Sequence, residues 1–142
     1  MAAPQSFVPQ RPSRKTVRRF TLKEAISTLP LVKRIVADIV KTHAQASKLR
    51  RHVDALDGGK ELVQAQHDLD HSIEQLQDFV DELTNVGAEL KDFETGLIDF
   101  VGRHEGRDVY LCWKLGEETI THWHELDAGF AGRKPVASLR EK

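Results

Sequence analysis

Val32-x-x-Ile35-x-x-x-Ile39-x-x-Thr42-x-x-x-Ala46-x-x-Leu49-x-x-x-Val53-x-x-Leu56 runs unbroken until Asp57-Gly58-Gly59-Lys60. Alternating steps of three and four residues place these side chains on one stripe of an α-helix, a sustained heptad seam. The two glycines end that helix. A second seam follows through Leu62, Leu69, Ile73, Leu76, Val80 and Leu83, stopping near Gly87. Two seamed helices joined by a short loop read as an antiparallel helical hairpin over residues 21–87.

Charge supports the pairing independently. Residues 21–52 hold seven Lys or Arg against Glu24 and Asp38, whereas residues 60–86 hold seven Asp or Glu against Lys60 alone. Folding about Gly58-Gly59 is expected to bring Lys41 near Glu74 and Asp78, Arg34 near Asp81 and Glu82, and Lys48 near Asp68 and Asp70. Exposed pairs contribute only about 0–1 kcal/mol each, so they select partner and register more than they stabilise.

Working outward towards the N-terminus, Thr21 with Glu24 three residues on is a capping-box pattern, with Phe20 placed to staple onto the first turns. Pro30 is expected to end or kink a short first helix near Leu29, with the long helix starting at Leu31. Residues 1–18 carry Arg11, Arg14, Lys15 and Arg18 with Pro4, Pro9 and Pro12, and no acid. They read as a mobile basic arm, solvated or touching phosphate.

Beyond Gly87 the period shifts from helix to strand. Ala88 to Thr95 is too short and mixed to assign. Leu97–Val101, Asp108–Leu115 and Thr119–Leu126 alternate as strands do, with turns at 102–107 and 116–117. They predict a three-stranded antiparallel meander over 88–136, including a C-terminal loop. Val109, Leu111, Trp113, Leu115, Ile120 and Leu126 would cover the helices. Tyr110, Cys112, Lys114, Thr119, Thr121 and Trp123 would face the other way. The fold class is α+β, a single domain over 19–142, and 142 residues suffice for one core but not two.

A net charge of −1 gives no global pull towards nucleic acid or acidic lipid. No apolar run approaches the ~20 residues that span a bilayer, and the start lacks the apolar core of a signal peptide. One cysteine cannot form an internal disulfide and fits a reducing compartment. A cytoplasmic protein is the default expectation, with no membrane contact and a nucleic-acid role resting on the arm alone.

Two places carry side chains with chemistry. On the second helix, His67 and His71 share a face with Glu74, and hairpin folding sets His43 opposite. The adjoining Asp68 and Asp70 mark that face as solvated. In the sheet region, Asp99 lies between Ile98 and Phe100 and needs a partner, for which Arg103, Arg107, Lys114 and Arg133 are candidates. An Asp99–Arg133 pair beside His124 is the preferred geometry. Register decides the rest. A two-residue turn at Gly116-Glu117 pairs Leu111 with His122 and Tyr110 with Trp123. A three-residue turn instead sets Cys112 opposite His122 and Tyr110 opposite His124, the beginning of a metal or nucleophile site at Cys112, His122 and His124. Turn chemistry favours the first. Trp113 reads as a core side chain.

The motifs Lys91-Asp92, Gly96-Leu97-Ile98-Asp99-Phe100, Gly106-Arg107, Val109-Tyr110-Leu111-Cys112-Trp113, Gly116-Glu117, Trp123-His124 and Gly129-Phe130-Ala131-Gly132-Arg133-Lys134-Pro135 resemble the prokaryotic family known as domain of unknown function 2203. Phe20-Thr21-Leu22-x-Glu24-Ala25 with Leu29-Pro30-Leu31 is similar to that family's start. The resemblance covers residues 20–136 and implies no activity, cofactor or substrate. Asp99, Cys112, Trp113, His124 and Arg133 match the family's pattern, while His122 stands where an aromatic residue is common.

The expected function is a non-enzymatic interaction or scaffold module that self-associates, without a cofactor, through an apolar sheet face at Tyr110, Trp123, Ile98 and Phe100. Its partner beyond a second copy is an unidentified protein or small molecule. The competing expectation is a small-molecule or metal-dependent enzyme built on Asp99, Cys112, His124 and Arg133.

Overall fold

The computed structural model describes residues 17–142. Most of the expected basic arm therefore lies outside the described residues. Its last residue, Arg18, is docked: its guanidinium stands 4.3 Å over the Phe20 ring and donates to the Val86 carbonyl.

Helix α1 runs Leu22–Ala55 and helix α2 Gly59–Val86. The capping box at Thr21 is present, with the Glu24 N–H donating to Thr21 Oγ1 at 3.1 Å and the Thr21 N–H to Glu24 Oε1 at 2.9 Å. Pro30 neither ends nor divides the helix. A proline in a helix interior costs about 3 kcal/mol through one lost hydrogen bond and a steric conflict. Here the ring itself sits on the exposed side of the helix. Ala25, Leu29, Val32, Ile35 and Val36, all at most 4% exposed, hold the helix down on both sides of it. Gly58 and Gly59 take φ of 97° and 87°, a conformation that only glycine adopts cheaply, so the break falls where the doublet stands.

The seams differ in detail from expectation. Ala25, Leu29 and Val36 extend the buried stripe of α1, while Leu49, Val53 and Leu56 are only half-buried. In α2, Ala65 and Ser72 are buried where Leu62 and Ile73 are not. The anticipated pairs of Lys41, Arg34 and Lys48 with the acids of α2 do not form. Among the described residues the ion pair across the hairpin is His52–Glu61 at 3.8 Å.

The sheet has five antiparallel strands rather than three, β1 Glu89–Asp92, β2 Leu97–His104, β3 Arg107–Lys114, β4 His122–His124 and β5 Lys134–Pro135, in chain order. The unassigned segment after Gly87 supplies β1, and a bulge at Lys91 blurs its alternation. Strand β2 continues through Gly102 to His104, where a turn was expected, because Gly102 leaves room for the Leu111 side chain packed over it.

The favoured hairpin register is overturned. Cys112 pairs with His122, Leu111 with Trp123 and Tyr110 with His124. The reason lies in Glu117. Its N–H donates to the Lys114 carbonyl at 3.0 Å, and its carboxylate accepts from the Lys114 N–H at 2.8 Å. Residues 114–117 thus close a turn of their own, and the chain runs on to Thr121 before β4 begins. Trp123 consequently faces the helices, and Leu126 is 51% exposed outside the sheet.

Ile98, Phe100, Val109, Leu111, Trp113, Ile120 and Trp123 make the core with the near halves of both helices. The expected apolar partner face does not exist: Ile98, Phe100, Tyr110 and Trp123 are all at most 5% exposed. The shared core takes nothing from α1 beyond Val40 and nothing from α2 before Leu76. His43, stacked on Phe93 with ring centroids 5.0 Å apart, marks where sheet contact ends. The remaining 12 residues of α1 project about 18 Å with only α2 for company.

Candidate functional site

Alternation decides which side chains share the sheet face turned away from the helices. The register places Glu89, Asp99, Tyr110, Cys112, His122 and His124 there together. Asp99, Cys112 and His124 are 2%, 0% and 3% exposed, which is unusual for groups of this chemistry.

Three adjacent strands bring them into one cluster. Asp99 on β2 stands directly across from Cys112 on β3, and His124 lies on β4 beside them. One ligand atom from each falls within 4.8 Å of the other two. The His124 Nδ1–H donates to the Glu125 carbonyl at 2.8 Å, and its Nε2 lies 3.2 Å from Asp99 Oδ1. The hydrogen bond to Asp99 raises the His124 pKa above its ordinary value, with burial opposing. Burial foremost, and the Asp99 charge after it, push the Cys112 thiol up to about 12. That direction disfavours a thiolate near neutral pH.

A second layer surrounds the cluster. Tyr110 donates to Glu89 Oε1 at 3.2 Å, and its ring lies 5.5 Å from that of His124. Lys91 stands 4.4 Å over the Tyr110 ring and 3.0 Å from Glu89. The carboxylate of Glu89 and the ammonium of Lys91 thus form one wall. Glu89 stands out by no sequence signal, and Lys91 only through the Lys91-Asp92 motif, because the bulge at Lys91 hides the strand that carries both.

The expected Asp99–Arg133 pair is not made. Arg133 Nη2 donates to both carboxylate oxygens of Glu117, at 3.0 and 2.8 Å, and the guanidinium lies 4.6 Å over the Phe130 ring. Its Nε is buried without an acceptor. Arg133 is still near enough to favour the Cys112 thiolate, against burial. Glu117, read from the sequence only as a turn residue, is the hub that sets both the register and this arginine. Trp113 is fully buried on the helix-facing side, with its indole N–H donating to the Glu117 carbonyl at 3.0 Å, so it is core and not a ligand platform.

His122 sits opposite Cys112 and half-buried, with Nδ1 2.8 Å from the Thr121 hydroxyl, but it is not part of the three-atom cluster. The anticipated Cys112–His122–His124 set thus exchanges His122 for Asp99. On α2, His67 is 79% exposed, as a solvated face requires.

Among the described residues no helix is long and apolar enough to cross a membrane. A family model described as "Uncharacterized conserved protein (DUF2203)" matches residues 18–136. No curated protein and no solved structure matches the chain.

Proposed function

We propose, for a chain that belongs to the DUF2203 family, a role as a cytoplasmic interaction module that pairs with a second copy of itself through the outer half of its helical hairpin. The observation that carries this reading is a sign-segregated surface left unpaired inside the chain. Beyond His43, Lys48, Arg50 and Arg51 are exposed on α1 without an ion-pair partner among the described residues. Asp70 and Glu74 are likewise exposed without an ion-pair partner among the described residues on the outer part of α2. Leu49, Val53, Leu56 and Leu62 are half-buried between the two stripes, and Val63 is 71% exposed. A groove of about 270 Å³ lined by Ala46, Ser47, Arg50, Arg51 and Leu69 opens on this region.

Two-fold pairing supplies what is missing. In an isologous contact residue i of one copy meets residue j of the other, and j meets i. The basic α1 of each copy then faces the acidic α2 of its partner. The half-covered leucines close into a four-helix, coiled-coil-like seam. An enzymatic role has less support, because the thiol is held protonated and the polar cluster is sealed from solvent.

Sedimentation equilibrium of the full chain is the test. A dimer is expected at low ionic strength, weakening several-fold between about 0.05 and 1 M salt as charges are screened. Lys48→Glu with Arg51→Glu should give a folded monomer, and adding Asp70→Lys with Glu74→Lys should restore the dimer. A wild-type chain that stays monomeric at every concentration, or a dimer indifferent to the charge reversals, overturns the proposal.

A further inference from the structure

The geometry points to a transition-metal site at Asp99, Cys112 and His124, suited to zinc or another borderline divalent ion and independent of the hairpin surface.

Three features argue for it. The donor set is mixed, one carboxylate oxygen, one sulfur and one imidazole nitrogen, which fits zinc, cobalt or nickel and not calcium or magnesium, which take oxygen. The three ligand atoms lie within 4.8 Å of one another although they come from three different strands, so the sheet ladder and not a flexible loop holds them. The tetrahedral distances of about 2.0–2.3 Å require them to draw together further.

Tautomer is the second feature. With Nδ1–H committed to the Glu125 carbonyl at 2.8 Å, a neutral His124 presents a bare Nε2 lone pair to the interior. In the metal-free protein the Nε2–H donates to Asp99 Oδ1, 3.2 Å away, and a metal ion binding both groups takes the place of that proton. Anchoring of the remote ring N–H by a backbone carbonyl is the arrangement that metal-ligating histidines use.

The third feature is the supporting layer. Glu89 on β1 is held by the Tyr110 hydroxyl and by Lys91, and Arg133 is held by Glu117, so the neighbouring charges are already engaged with each other. A dication entering the cluster meets the Asp99 carboxylate and a thiol that gives up its proton on coordination. Three protein ligands leave a fourth position that a single buried water would fill.

The experiment is titration of chelator-washed full-length protein with zinc, followed by competition with a chromophoric chelator, and with cobalt(II) as a spectroscopic substitute. One equivalent of zinc is expected to bind and to raise the melting temperature. Cobalt should give an intense near-ultraviolet sulfur-to-metal charge-transfer band together with tetrahedral visible bands. Cys112→Ser should abolish the charge-transfer band. His124→Gln and Asp99→Asn, each checked for folding by circular dichroism, should each weaken zinc by roughly 100-fold or more. His122→Ala should leave affinity within a few-fold of wild type. Failure of the wild-type protein to bind zinc or cobalt overturns the inference. So does binding that the three ligand variants leave intact, which would locate the metal on surface histidines.

Discussion

Trp113→Ala should cost about 3–5 kcal/mol of unfolding free energy, the largest loss expected from any single truncation in the sheet. The indole is fully buried and pairs with Ile98 across β2 and β3, so its removal leaves a cavity lined by the core that joins helices to sheet. The bond from its N–H to the Glu117 carbonyl is lost as well. Because Glu117 also fixes the 114–117 turn and holds Arg133, the damage should reach the outer face of the sheet. A domain of this size has about 5–15 kcal/mol in total, so the variant should be largely destabilised at physiological temperature. Trp113→Phe keeps much of the volume and should lose about 1–3 kcal/mol. Urea unfolding of the two variants checks this. Equal, near-zero losses would show that the residue is not core.

Asp99→Ala should cost about 3–5 kcal/mol in metal-free protein, because it leaves the His124 imidazole buried without its charged partner. The pH dependence is more diagnostic than the magnitude. The His124 pKa is raised in the folded protein, chiefly by the hydrogen bond its ring N–H donates to Asp99, with burial and the Lys91 charge opposing. A group whose folded pKa lies above its unfolded value binds its proton more tightly when folded. Its stabilising contribution is therefore complete below the unfolded value of 6.5 and is lost as pH rises through the folded value. The opposite trend holds for Asp108, whose carboxylate is drawn down by the Arg19 guanidinium and loses its contribution only in acid. Chemical denaturation in the presence of chelator, from about pH 6 to about pH 9, should show wild-type stability falling relative to Asp99→Asn. A difference between the two proteins that is flat across that window would sink the assignment of the charged pair.

Much of this architecture is legible in the residues, and the failures have specific causes. The helical hairpin announces itself because apolar spacing, a glycine doublet and a capping box agree on one element. Pro30 misleads because the rule against interior proline is local, whereas the packing of Leu29, Val32 and Ile35 that overrides it is tertiary. The ion pairs drawn between the helices fail because charge composition tells which helices attract, not which side chains point inward. Cys112, Asp99 and His124 each stand out as chemically capable, yet their convergence depends on a register that a side-chain bond from Glu117 decides. No turn propensity encodes that bond. Asp99 is matched to Arg133 because a carboxylate between apolar neighbours needs a partner and a cation on a glycine-punctuated loop can be aimed at it. The fold gives Asp99 to His124 and Arg133 to Glu117, two pairs separated along the chain by 25 and 16 residues.

The chain-order sheet has a consequence for how the molecule assembles. Each strand hydrogen-bonds to its immediate predecessor, and the two helices are consecutive, so the pairings are local and the entropy of closing each loop is small. The long-range closures are made by the ends. The Phe20 N–H reaches the Val101 carbonyl, the Glu105 N–H reaches the Arg140 carbonyl, and the Leu22 N–H reaches Glu141 across 119 residues. On a ribosome, the helical hairpin and the first three strands can form in order as they emerge. The segment from Val136 onward arrives after them and ties the start of α1 to the already paired strands, a buckle fastened after the garment is on.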